Sequence, residues 1–202
     1  MTVEELLIKI AEILENLNIP YMVTGGFAVS VWGRPRFTAD IDIVIELYPQ
    51  KISQLGTALL TIDKNVYVSK KAIEEAVKRK GEFNFIHPQT GIKVDFWVEK
   101  DIEKYYLPEY RESRQTSLYE KTKLQRRVAK EINGKKVYFI SPEDLILSKL
   151  IWYKESQSNR HLEDIKSILE ISKVDLEYIK TWAEQQSTLT VLENLIKKMH
   201  YE

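Results

Sequence analysis

The sequence predicts an α/β chain of the α+β type: a small mixed β-sheet core over residues 1–140, then a helical region over residues 141–202 that closes the cleft of the core. Three observations predict it. Short strand-like runs alternate with helical stretches through the first two thirds of the chain. Asn133-Gly134 separates two further runs, which is a strong hairpin signal. From Ser141 onward every segment reads as helix and none as strand.

In order, Val3, Leu6, Leu7, Ile10, Leu14 and Leu17 recur at helical spacing, and Thr2 with Glu5 forms a candidate capping box, so a helix is expected to about Asn18. After Pro20, YMVTG reads as a short buried strand ended by Gly25-Gly26, and Phe27 to Trp32 as a short helix. Gly33-Arg34-Pro35-Arg36 is a loop. Asp40 to Leu47 alternates: Ile41, Ile43 and Ile45 share one face, Asp40, Asp42, Val44 and Glu46 the other. Pro49 to Leu60 and Lys70 to Lys80 are expected helices, and Phe83 to His87 and Ile92 to Val98 are expected strands joined by the turn HPQTG. The segment from Asp101 to Lys123 gives no clear pattern. Leu124 to Ile132 and Lys135 to Ile140 form the expected hairpin. Ser141 as N-cap and Pro142 at the first helical position then open the helical region, expected as four segments.

Composition narrows the function classes. Of 202 residues, 44% are apolar and 30% charged, with a formal net charge of zero. A core is affordable, and neither a global basic field for nucleic acid nor an acidic excess typical of disorder is present. Cysteine is absent, which excludes disulfides, thiolate metal sites and a cysteine nucleophile, and suits a reducing, cytoplasmic setting. The start MTVEELLIKIAEIL is acidic and amphipathic, unlike a signal peptide. The longest uncharged run, Pro20 to Gly33, is too short to span a bilayer, so no membrane partner is expected. His87, His161 and His200 have no zinc-site spacing.

The chemistry concentrates in GGFAVSVWGRPRFTADIDIVIE, residues 25–46. Residues two apart on a strand face the same way, about 7 Å apart at Cα, so Asp40 and Asp42 can converge on cations. Asp95 is the lone acid among Val94, Phe96, Trp97 and Val98, and such a carboxylate requires a partner. If its strand pairs beside Asp40–Glu46, it faces the same cleft. Converging carboxylates suit magnesium, which takes oxygen ligands and shares its shell with substrate phosphates. A glycine pair ahead of a helix brings backbone N–H groups close to a phosphate. Arg34 and Arg36 can add cationic donors and Thr38 a hydroxyl, although solvent exposure suits the arginines, and strand propensity the threonine, equally well.

A glycine pair, a short helix, Asp-x-Asp on a strand and a later lone Asp on another strand resemble the nucleotidyltransferase superfamily that includes DNA polymerase beta. The chain is most similar to its small prokaryotic branch related to abortive-infection, type IV toxin–antitoxin toxins. ISPEDLILSKLIWY and RHLEDIKSIL resemble that branch's lysine and arginine–aspartate motifs, and the resemblance covers residues 20–46, 91–98 and 139–171. It implies that Gly25 and Gly26 hold the nucleoside triphosphate. It implies that Asp40 and Asp42 bind magnesium (two ions in all, with manganese possible). Asp95 would be the third carboxylate, activating the attacking hydroxyl, and Lys149 and Asp164 would match the later motif pair. Many superfamily members carry serine after the first glycine, where this chain has Gly26.

Lys149 lies among apolar positions of its helix and either snorkels to the surface or reaches a cleft. Asp164 lies on an apolar flank and wants a cation, with Lys149 and Arg160 the candidates. From Asp101 to Ile140 there are ten Lys and Arg against six Asp and Glu, including Lys121, Lys123, Arg126, Arg127, Lys130, Lys135 and Lys136. That patch suits RNA or an ordinary solvated hairpin, and Tyr105, Tyr106 and Tyr110 suit a core or interface better than base stacking. The expected activity is magnesium-dependent transfer of a nucleotidyl group from an NTP to an acceptor hydroxyl. The resemblance implies tRNA or other RNA as acceptor and a cognate antitoxin as partner. An aminoglycoside-like small acceptor, or a nucleotide- or partner-binding protein of this fold without turnover, are the alternatives.

Overall fold

The computed structural model of the chain describes residues 1–99 and 123–199. Two compact units divide it, one of residues 1–25 and 38–140, the other of residues 26–37 and 141–202. The segment that gave no sequence pattern, and the tyrosines within it, lie almost wholly outside the described residues, as does Lys121.

In the first unit, helix α1 (Val3–Asn16) starts on the expected capping box, with Thr2 and Glu5 each satisfying the other's backbone N–H. It buries Leu6, Leu7, Ile10, Ala11 and Leu14. The helix stops two residues short of the expected end, because Asn18 takes a left-handed φ of 51°, which asparagine tolerates better than most residues.

Among the described residues, seven strands form one mixed sheet: β1 (Tyr21–Thr24), β2 (Asp40–Ile45), β3 (Tyr67–Val68), β4 (Glu82–His87), β5 (Ile92–Val98), β6 (Val128–Ile132) and β7 (Lys135–Phe139). Their order is β3-β4-β5-β2-β1-β7-β6. The β1–β7 and β2–β5 pairs are parallel and the other neighbours antiparallel. Strand β2 alternates as its sequence requires: Ile41, Ile43 and Ile45 are fully buried, while Asp40, Asp42 and Val44 are half-exposed on the other face. Phe83 stacks on Phe96 across β4 and β5 at 4.8 Å between ring centroids.

Helices α3 (Ile52–Leu60) and α4 (Lys70–Arg79) bury Leu55, Leu59 and Ile73. The hairpin turns on Asn133 and Gly134, both at positive φ, as a two-residue primed turn requires. Its first strand begins at Val128 rather than at the expected Leu124. Residues 123–125 are helical, Arg126 N–H closes a turn on the Lys123 carbonyl, and Leu124 is buried.

The second unit is helical. Helix α2 (Gly25–Trp32) begins at the unit boundary and continues into the loop 33–37. Four more helices follow: α5 (Pro142–Ser156), α6 (Asn159–Ile171), α7 (Leu176–Gln185) and α8 (Leu189–Met199). Ser141 caps α5 through the Asp144 N–H, with Pro142 in the first turn. Leu145, Ile146, Leu147 and Leu150 are all fully buried, so α5 is covered on nearly every side. No helix among the described residues is long and apolar enough to cross a membrane.

Candidate active site

The parallel β2–β5 ladder sets Asp42 opposite Asp95 and Asp40 opposite Lys93. The three carboxylates anticipated from the sequence therefore share one stretch of one sheet. Asp95 is buried, with an exposure of 8%, in a strand of apolar neighbours. Its cost is offset by two partners. The Asn84 side-chain amide, on the next strand, donates to Oδ1, and Lys93 Nζ sits 2.8 Å from Oδ2. The hydrogen bond to Asp95 raises the Lys93 pKa, and the charges of Asp95, Asp40 and Asp42 add to it.

Gly25 borders the same face. Its φ is +64°, and a Cβ built there would fall onto the Asp42 carboxylate, with Asp42 Cβ 2.9 Å away. Glycine is thus required both by backbone conformation and by the side chain opposite. Thr38 donates its hydroxyl to the Asp40 carbonyl at 3.1 Å, which ties the loop to the start of β2.

Among the described residues, no three ligating side chains gather closely enough to hold an ion by themselves. The chemistry of the three carboxylates would suit magnesium: each candidate donor is a carboxylate oxygen, an ammonium already rests against the set, and magnesium usually takes only one or two carboxylates plus substrate phosphates.

A second group of anticipated residues meets in the helical unit. Asp164, with 3% exposure, accepts two hydrogen bonds from Arg36, Nε to Oδ1 at 2.8 Å and Nη2 to Oδ2 at 3.1 Å. Lys149, itself buried, places Nζ 2.7 Å from Oδ2 and 5.0 Å from the Trp152 ring centre. Burial by itself would raise the Asp164 pKa, but the bonds from Arg36 and Lys149 outweigh it and the net shift is downward. Its cation partners are therefore Lys149 and Arg36, not Arg160. Arg34 Nη2 bonds Glu170 at 2.8 Å, and the Arg34 N–H donates to Ser167 Oγ. Ser30 accepts from the Arg36 N–H and donates to the Arg36 carbonyl. Each arginine of the loop is thus held on α6. Gly26 stands at the start of this unit. Burial, followed by the charge of Lys149, lowers the pKa of His161, whose ring packs against Trp152.

The anticipated residues accordingly fall into two groups: Gly25, Thr38, Asp40, Asp42 and Asp95 in the sheet unit, and Gly26, Arg34, Arg36, Lys149 and Asp164 in the helical unit. Sequence reasoning missed Asn84 and Lys93. Their only signal was a polar residue set between apolar neighbours in each strand, Asn84 in FNF and Lys93 in IKV. In the basic patch, Lys135 pairs with Glu12 at 2.9 Å, and Arg127 and Lys136 lie over the Tyr138 ring. Part of that charge is therefore committed within the protein.

A family model described as nucleotidyl transferase AbiEii toxin, type IV toxin–antitoxin system, matches residues 12–188. No curated protein matches the chain in sequence. Among solved structures, an antigenic nucleotidyltransferase-like protein from Paracoccidioides brasiliensis superposes with a TM-score of 0.58 at 24% identity, over 96% of this chain and 87% of that one. ANT(2")-Ia in complex with adenylyl-2"-tobramycin gives a TM-score of 0.57 at 15% identity, over 93% and 98%. The lincosamide antibiotic adenylyltransferase LnuA, lincomycin-bound, gives 0.51 at 15%, over 85% and 99%. At these identities the structures establish the fold alone.

Proposed function

This chain belongs to the AbiEii nucleotidyltransferase toxin family of type IV toxin–antitoxin systems, and on that premise we propose that it moves a nucleotidyl group from an NTP to a hydroxyl of tRNA or another RNA, with pyrophosphate leaving. The observation that carries this reading is the register of β2 on β5, which puts Asp42 opposite Asp95, with Asp40 one step along and Gly25 against Asp42. Asp40, Asp42 and Asp95 would hold two magnesium ions, or manganese, which supply charge neutralisation at the phosphates and lower the pKa of an acceptor hydroxyl.

The chain's own groups do the rest. Gly25 and Gly26 present backbone N–H groups to the triphosphate. Asp95, kept in place by Asn84, accepts the proton of the acceptor hydroxyl. Within the helical unit, Asp164 orients Arg36 and Lys149, cations of the kind that take phosphate oxygens. Arg34 and Thr38 hold the loop that joins the glycines to Asp40. Membership of a type IV toxin–antitoxin family supports a cognate antitoxin, while the RNA acceptor and a cytoplasmic place of action belong to the proposal itself.

The test offers the pure protein each α-labelled NTP with magnesium, against total cellular RNA in one series and tobramycin in another. Label in tRNA-sized RNA supports the proposal and names the nucleotide. Label in the drug alone favours a small-molecule acceptor. NTP binding without product in either series favours a binding protein without turnover.

A further inference from the structure

Lys93 has no part in the chemistry above, yet its ammonium rests against one of the three carboxylates. Its Cα is opposite Asp40 and its ammonium touches Asp95 two residues along the same strand face. Asp95 Oδ1 is taken by Asn84 and Oδ2 by Lys93, so both oxygens of the third carboxylate are engaged. An Asp42–Asp95 pair directly opposite in a ladder is unfavourable without a counter-charge, and Lys93 supplies one. The two partners differ in exposure. The Lys93 side chain is 41% exposed on a flexible four-carbon stem, whereas the Asp95 side chain is 12% exposed.

We propose that Lys93 is a tethered counter-cation of the carboxylate face, occupying the Asp95 oxygen that an incoming divalent ion needs and giving it up when that ion binds. The inference rests on the reading of Asp40, Asp42 and Asp95 as metal ligands. Lys93 would then set the affinity for the ion shared with Asp95, and would limit idle metal loading of the free protein.

The experiment is a manganese titration of the free protein, with bound ion read by loss of the free-ion paramagnetic resonance signal. Wild type is compared with Lys93→Gln, Lys93→Arg and Asp42→Asn, and each fold is checked by circular dichroism. Removing one positive charge a few ångströms from a divalent ion tightens its binding roughly tenfold. Lys93→Gln should therefore bind manganese about tenfold more tightly and Lys93→Arg about as wild type. Equal or weaker binding by a folded Lys93→Gln overturns the inference. If that variant does not fold, Lys93→Met makes the same comparison. Asp42→Asn separates the two levels of the argument: wild-type manganese binding there overturns the metal-site reading itself. Lost binding there, with Lys93→Gln unchanged, overturns only the role of Lys93.

Discussion

Asp42 and Asp95 face each other directly across the parallel β2–β5 ladder. Two carboxylates so placed repel, and a sheet built only for stability would not keep both. Asp42→Asn should therefore leave the metal-free protein as stable as wild type, within about 1 kcal/mol, while abolishing nucleotidyl transfer. Calorimetry in chelator, paired with a transfer assay, checks both halves. A large loss of stability would mean that Asp42 is a structural residue.

Gly25→Ala should cost far more than an ordinary turn glycine. The φ of +64° penalises alanine by about 1–2 kcal/mol, and the new Cβ also meets the Asp42 side chain. Gly91 has nearly the same φ, +69°, with nothing within 4 Å of an added Cβ, so Gly91→Ala should show the conformational penalty alone. Denaturant melts of the two variants should differ by at least about 1 kcal/mol. Only Gly25→Ala should impair transfer.

Asp164→Asn removes the carboxylate that neutralises both Arg36 and Lys149. Breaking a buried ion pair from one side typically costs about 3–5 kcal/mol, so a large drop in unfolding free energy is expected. Arg36→Lys loses the two-point contact but keeps the charge, and its cost should be smaller. Urea melts of the two variants rank them.

The pH dependence follows from two depressed groups. The Asp164 pKa is lower folded than unfolded, so its contribution is full above the ordinary aspartate value and is lost as pH falls through the folded value. The His161 pKa is also lowered, so the folded ring resists protonation. Its contribution is full above the ordinary histidine value of 6.5 and falls as pH drops below it. Stability should be flat between about pH 7 and pH 9 and decline in two stages on acidification. His161→Gln should remove the upper stage and Asp164→Asn the lower. An unchanged profile in either variant contradicts the assignment.

Much of this was legible in the sequence because its signals are local. The alternation of β2 fixes which face carries Asp40 and Asp42, and Asn133-Gly134 needs only its own backbone to turn. Asp95 was legible as an acid without local excuse. Contacts made by distant residues were not legible. Arg36 reaches Asp164 across 128 positions, while Arg160 was nearer in sequence. Asn84 meets Asp95 only through the β4–β5 register, and Lys93 alternates like any solvated lysine. The two-residue β3 is too short to show a period, and the buried Leu124 mimics a strand residue although it sits in a helical turn.

The most direct measurement of the central claim is the rate of transfer from α-labelled NTP to RNA at saturating magnesium, for wild type and for Asp40→Asn, Asp42→Asn and Asp95→Asn at equal folded concentration. The account predicts labelled RNA from wild type and loss of at least about a hundredfold in each variant. Wild-type rates in a folded Asp42→Asn or Asp95→Asn protein would contradict it.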